Sequence, residues 1–123
     1  MAVLDMEAGL EHMGRGTVEH VDTLLVVTEP YYRALEAATR IRDLAKELRV
    51  PQTIVAANRI RTEADREAVS QYCWNHDLNL AATIPYDEAV PEAERRGTAP
   101  IDFVPEGPAM RAVYGLARSL ELG

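Results

Sequence analysis

The sequence contains one cysteine and one lysine among its 123 residues, and it has few positive charges overall. A single cysteine, Cys73, excludes an internal disulfide and a metal site built from cysteine alone. The formal net charge of −7 argues against a general electrostatic attraction to nucleic-acid phosphates. No apolar run approaches the roughly 20 residues that a membrane-spanning helix needs. We therefore expect a cytoplasmic protein with no nucleic-acid partner, no membrane span and no resident metal site.

The apolar content is sufficient for one folded domain. Hydrophobic residues make up 47% of the chain, which is enough for a core and too much for a disordered segment. At this length we interpret residues 1–123 as a single domain. Met1 stands almost inside the first apolar run, without a lead-in, and we expect further sequence upstream of it.

Short apolar runs alternate with helical patterns along the chain. The predicted strands are the run that ends at Asp5 and residues 24–28, 53–57 and 78–84. The predicted helices are residues 32–48, 62–75 and 91–97, and a last one that begins near Pro108. Thr62 and Asp65 have the spacing of a capping box. Strands that alternate with helices indicate an α/β fold with a mostly parallel sheet.

Asp5 and Gly9, at and just after the end of the first predicted strand, are candidates for contacts with magnesium and phosphate. Asp5 ends the apolar run, and a carboxylate at a strand end can hold a magnesium-bound water. Gly9 would let a backbone amide approach a phosphate closely. The spacing by itself is equally compatible with an ordinary junction between a strand and a loop.

Polar residues also follow the later strands, at the sheet edge where parallel sheets bind their ligands. The Asn58 amide offers a donor and an acceptor together, which suits the edge of adenine, and Arg59 comes next. The alternative is an asparagine that ends its strand through bonds with the neighbouring backbone. Pro85, Tyr86 and Asp87 follow the next predicted strand in the same way.

Taken together, these segments resemble the MinD/ParA class of P-loop ATPases, which has a deviant Walker A loop. They are most similar to the CooC-type accessory ATPases of carbon monoxide dehydrogenase. Residues 5–17 resemble the switch II region, Asn58-Arg59 the pair that holds the base, and residues 84–87 with 97–100 the segment around adenine. The resemblance implies a partial, mostly parallel P-loop-type sheet with flanking helices, and it covers only the C-terminal half of that domain.

The resemblance also implies roles for individual residues. Asp5 would be the acid on the magnesium side, and Gly9 would sense the γ-phosphate through its amide. Asn58-Arg59 and residues 85–87 would hold adenine. The implied cofactor is ATP or ADP with magnesium. The implied function is nickel insertion during maturation of carbon monoxide dehydrogenase, with that enzyme as a partner.

The glycine-rich loop of these ATPases, which ends in Gly-Lys-Ser or Gly-Lys-Thr, is missing from the sequence. Lys46 is the only lysine, and it lies inside a predicted helix. We therefore expect no ATP hydrolysis by this chain alone, and a second chain or copy that completes the sheet and the site. The alternative function is a non-catalytic interaction module, a remnant half-domain that pairs through an open sheet edge beside residues 22–28.

Overall fold

The computed structural model describes residues 20–120 together with Gly14 and Gly16. These residues form a three-stranded parallel sheet in the order β1-β2-β3, with helices on both faces. The strands are β1 (Thr23–Thr28), β2 (Gln52–Ile60) and β3 (Leu80–Pro85). The helices are α1 (Tyr32–Glu47), α2 (Glu63–Asn75), α3 (Ala89–Arg95), α4 (Pro100–Phe103) and α5 (Pro108–Ser119). The predicted strand that ends at Asp5 lies outside the described residues.

The predicted α/β class and the parallel sheet are confirmed, and the structure differs from the prediction at several element boundaries and in one additional short helix. β2 continues three residues beyond the predicted end because Ile60 still pairs with Pro85 of β3. α3 begins at Ala89 rather than Pro91, because the Asp87 carboxylate accepts a hydrogen bond from the Ala89 amide. The four-residue helix α4 was not predicted, since it is too short to show a periodic pattern.

The two faces of the sheet carry separate hydrophobic clusters. On one face, side chains of the sheet pack against α1 and α2; the buried members are Val26, Leu35, Ala38, Val55, Ala57, Ile60, Val69, Cys73 and Leu78. On the other face, α5 packs against β2 and β3; the buried members are Ala56, Ile84, Ala109 and Leu116. Cys73 is 2% exposed and is packed as a small apolar residue within the first cluster.

Among the described residues, β1 is an edge strand and one of its faces is uncovered. Val26 points into the cluster beneath α1 and α2. Its neighbours Leu25 and Val27 alternate with it and point to the other face, where they are 36% and 59% exposed. α5 covers β3 on that face. The apolar surface of β1 on the α5 side therefore has no cover within residues 20–120.

Three helices end with the same left-handed turn. Arg49, Asp77 and Gly97 have φ angles of 62°, 55° and 66°. In each case the next residue donates its backbone N–H to the carbonyl five positions earlier: Val50 to Ala45, Leu78 to Cys73, and Thr98 to Ala93, at 3.0, 2.9 and 2.9 Å. This Schellman arrangement satisfies carbonyls at the helix end and prefers glycine at the left-handed position.

Arg49→Gly is expected to raise the free energy of unfolding by about 0.5–1 kcal/mol, because glycine adopts the left-handed conformation without a Cβ clash. Urea denaturation followed by circular dichroism measures the change. The matched control is Arg40→Gly in the middle of α1, which is expected to lower the free energy of unfolding by about 1 kcal/mol. The same sign of change in both variants would contradict the assignment.

Candidate functional site

The carboxyl ends of the three strands meet at one edge of the sheet. Ile60 pairs with Pro85, and the Tyr86 backbone N–H donates to the Ile60 carbonyl at 2.9 Å. The segment Asn58–Ile60 is thereby joined to residues 85–87, as the strand-end argument required. Asp5 and Gly9 lie outside the described residues, so their predicted roles stay predictions.

The backbone of β2 changes its course at Arg59. This residue has a φ of 58° and is the only non-glycine residue of the described strands in the left-handed region. The register with β3 is irregular between Ala57 and Ile60, yet both of these side chains belong to the same core cluster. A regular strand turns successive residues to opposite faces, so residues three positions apart, such as Ala57 and Ile60, would point to opposite faces. For both to point to the same face, the strand needs one inserted residue. Arg59 is that inserted residue, and it forms a β-bulge.

The Asn58 side chain is held by the bulge. Its Oδ1 atom accepts the backbone N–H of Arg59 at 2.9 Å. This is the contact with the neighbouring backbone that the alternative interpretation of Asn58 predicted. An amide oxygen has two lone pairs and the amide nitrogen has two hydrogens, so one contact leaves a donor and an acceptor for a ligand. The geometry is therefore compatible with both interpretations and fixes the orientation of the amide.

An ion pair connects the ends of β1 and β2. Arg59 Nη1 lies 3.4 Å from Glu29 Oε1. Both side chains reach solvent, and an exposed pair of this kind contributes about 0–1 kcal/mol. The ion pair matters mainly for the direction of the Arg59 side chain, which it turns toward β1 and away from β3.

The Asp87 carboxylate connects the starts of two helices. Its Oδ1 accepts the Ala89 N–H at the start of α3, at 3.0 Å, and its Oδ2 lies 3.5 Å from the Ala109 N at the start of α5. Negative charge is favoured at both positions by the helix dipoles. The residue that was predicted to hold adenine thus has a structural contact that fixes the loop after β3. Its role toward a base stays a prediction.

Arg61 was not among the site residues predicted from the sequence. The Arg61 guanidinium carbon lies 3.9 Å from the centre of the Tyr86 ring, within cation–π distance. The signal that could have found it is the capping box at residues 62–65, which the structure confirms. A helix that starts at this point places the residue before its N-cap at the end of β2, beside the end of β3.

Glu92 holds the two arginines at the end of α3. Arg96 Nε donates to Glu92 Oε1 at 3.0 Å, and Arg95 Nε donates to Oε2 at 3.1 Å. These hydrogen bonds, with that of Arg96 the larger cause, and the charge of Arg95 hold the pKa of Glu92 below its ordinary value. Both arginines are exposed.

Other features of the described residues do not form a second reactive site. They contain no group of three or more His, Cys, Asp or Glu side chains that could hold a metal ion. Burial raises the pKa of the Cys73 thiol, which makes a reactive thiolate unfavourable. A shallow depression follows the exposed side of α2, and it includes none of the predicted site residues. None of the helices in residues 20–120 is long and apolar enough to cross a bilayer.

The fold is that of the MinD/ParA class of P-loop NTPases. The sheet and helices superpose on the MinC:MinD cell division protein complex of Aquifex aeolicus with a TM-score of 0.78 at 26% identity. This match covers 94% of the present chain and 49% of the other. No protein-family model matches the chain.

Two proteins with related sequences indicate which members of this class the chain resembles. The carbon monoxide dehydrogenase accessory protein CooC of Rhodospirillum rubrum is 37% identical over 103 residues, which is 84% of this chain and 38% of CooC. An uncharacterized ATP-binding protein of Methanocaldococcus jannaschii is 38% identical over 106 residues, which is 85% of this chain and 41% of that protein. The chain is thus homologous to CooC and to MinD/ParA-type ATP-binding proteins, as the sequence motifs predicted, and it spans about two fifths of the length of these relatives.

Gly107→Ala tests whether the Asp87 contact organises the loop after β3. A Cβ at Gly107 would lie 2.7 Å from Asp87 Oδ2 and 2.9 Å from Val104 Cγ2. We expect the variant to lower the free energy of unfolding by about 1–3 kcal/mol, measured by urea denaturation. Gly115→Ala is the control, because a Cβ there meets no atom within 4 Å; in a helix it should stabilise by up to about 1 kcal/mol. Equal changes would contradict the steric argument.

The pKa of Glu92 should rise toward its ordinary value in Arg96→Ala, because the largest cause of its depression is removed. A carboxyl whose pKa is depressed in the folded state contributes stability above its unfolded pKa, and that contribution is lost as the pH falls through the folded value. Carbon-detected NMR titration of the Glu92 carboxyl measures the pKa directly. Arg111→Ala, on α5, serves as the control and should leave it unchanged.

Proposed function

We propose that this chain supplies the base-binding side of a nucleotide site in an ATPase of the MinD/ParA class, and that the complete protein serves nickel insertion during maturation of carbon monoxide dehydrogenase. The observation that carries the first part is the meeting of Asn58-Arg59 with residues 85–87 at the carboxyl edge of the sheet. The homology to CooC supports the second part. Nickel in this proposal is cargo and not a resident cofactor.

The described residues suit a base better than a triphosphate. Asn58 has a donor and an acceptor free in a fixed amide, and Tyr86 places an aromatic ring at the same edge. Adenine offers an amino donor beside a ring-nitrogen acceptor, so a single amide can bond to both. Phosphates need several amide or cationic donors together, and Arg59 is already paired with Glu29. Adenine would therefore bind at Asn58, Arg59 and the segment from Pro85 to Asp87.

Magnesium and the phosphates would be held elsewhere. The described residues contain no group of carboxylates that could bind a metal ion. Asp5 and Gly9 are our candidates for the magnesium-side acid and the γ-phosphate sensor. Residues 1–123 would then be the C-terminal portion of a P-loop NTPase domain. ATP or ADP with magnesium would bind only to the completed domain, and this chain alone would not hydrolyse ATP.

The uncovered face of β1 supports a completing partner. Leu25 and Val27 are an apolar pair on the edge strand of the described sheet, and such an edge can accept another strand. The partner would be the remaining portion of the NTPase domain, supplied by further sequence, a second chain or a second copy. The same observation supports the alternative, a non-catalytic interaction module that pairs through this edge.

Titration of the 15N-labelled full chain with adenosine monophosphate, followed by NMR, tests the base site. We expect amide shifts at Asn58, Arg59 and Tyr86. Asn58→Ala should weaken binding about two- to tenfold, because the net value of a hydrogen bond is about 0.5–1.5 kcal/mol. The control is Asn79→Ala, at the residue that precedes β3 on the other edge of the sheet, which should not change the affinity.

Two outcomes would contradict the proposal in different ways. If adenosine monophosphate shifts no residue at the carboxyl edge, the base site is wrong. If ATP binds the isolated chain with a dissociation constant below about 100 μM, roughly 5.5 kcal/mol of binding free energy, the proposal that the phosphate-binding groups lie outside this chain is wrong.

A further inference from the structure

Three arginines lie around the ends of β2 and β3, and one of them differs from the others in its partner. Arg59 pairs with Glu29, and Arg66 contacts Glu63 and the Thr83 hydroxyl. For Arg61, no carboxylate within residues 20–120 lies at ion-pair distance, and its guanidinium lies over the Tyr86 ring at 3.9 Å from the ring centre. In a chain of net charge −7, Arg61 is the arginine at this edge whose guanidinium contacts an aromatic ring rather than a described carboxylate.

The backbone on both sides of this contact is fixed. The Arg61 N–H donates to Asp65 Oδ2 at 3.0 Å, and the same carboxylate closes the capping box of α2. The Tyr86 N–H is bonded to Ile60. The freedom that remains is therefore in the two side chains. The ring is half-buried, and the Arg61 guanidinium lies over its face.

We infer that Arg61 is a positioning residue for the base site: its guanidinium holds the Tyr86 ring at the carboxyl edge, and the held ring completes the surface that a purine base contacts. The inference rests on the proposed function and adds to it a residue that the sequence motifs did not indicate. Arg61 acts through the ring, because its backbone is tied to α2 and its guanidinium lies on the ring face.

Arg61→Ala should preserve the fold, because the side chain is exposed and the backbone N–H that contacts Asp65 is retained. The Tyr86 ring resonances should shift in the free protein. The dissociation constant for adenosine monophosphate should rise about two- to fivefold, the range of an exposed cation–π contact. Arg61→Lys keeps a cation at the position and should recover part of the affinity. Arg40→Ala, an exposed arginine on α1, is the control.

A double-mutant cycle distinguishes action through the ring from direct contact with the ligand. In a Tyr86→Leu background, Arg61→Ala should cause no further loss of affinity for adenosine monophosphate. An equal loss in both backgrounds, or no loss in either, would overturn the inference.

The failure of this inference is separable from that of the proposed function. If the nucleotide shifts Asn58 in the unmodified chain while Arg61→Ala binds it equally well, the base site stands and the role of Arg61 is wrong. If the nucleotide shifts nothing at this edge, both are wrong.

Discussion

The candidate site depends on the pairing of Ile60 with Pro85 beyond the regular part of the sheet. β1 ends at Thr28, opposite Ala57, so the last three residues of β2 have a neighbour on one side only among the described residues. The Tyr86 N–H, bonded to the Ile60 carbonyl, extends this pairing by one residue. Without this short extension, the segments Asn58–Ile60 and 85–87 would be separate loops, and a shared surface would have to be ordered at the expense of binding energy.

The left-handed Arg59 makes this extension possible. A regular strand would turn Ile60 away from the cluster that contains Ala57, and the apolar side chain would lose its cover. The inserted residue returns Ile60 to the core and leaves Asn58 at the edge with its amide bonded to the Arg59 N–H. A left-handed non-glycine residue costs of order 1–3 kcal/mol. Within residues 20–120, the other three left-handed residues end helices, where this conformation is common. Arg59 is the one that lies in a strand, beside the predicted base-binding residue.

At the carboxyl edge and in the segment that follows β3, the charged contacts of the described residues centre on arginines. Glu29, Glu92 and the Tyr86 ring each hold one or two of them, and each of these contacts lies at a strand end or in the segment that follows β3. Asp87 joins the starts of α3 and α5 across the same segment. These contacts connect the segments of the carboxyl edge, whereas the uncovered face of β1 leaves Leu25 and Val27 exposed. The two regions correspond to the two parts of the proposal, a base site and a completing partner.

The sequence by itself determined the elements whose signals are local. The buried strands read as apolar runs, the α1 face as a period of three to four, and the start of α2 as a capping box, because each depends on residues within a few positions of one another. Only the tertiary structure decided the bulge at Arg59, the contact of Asp87 with the start of α5, and the contact of Arg61 with Tyr86. These pairings join residues up to 25 positions apart, or, at Arg59, depend on which face of the sheet is buried. No local pattern contains that information, because register and face are set when β2 and β3 pack together.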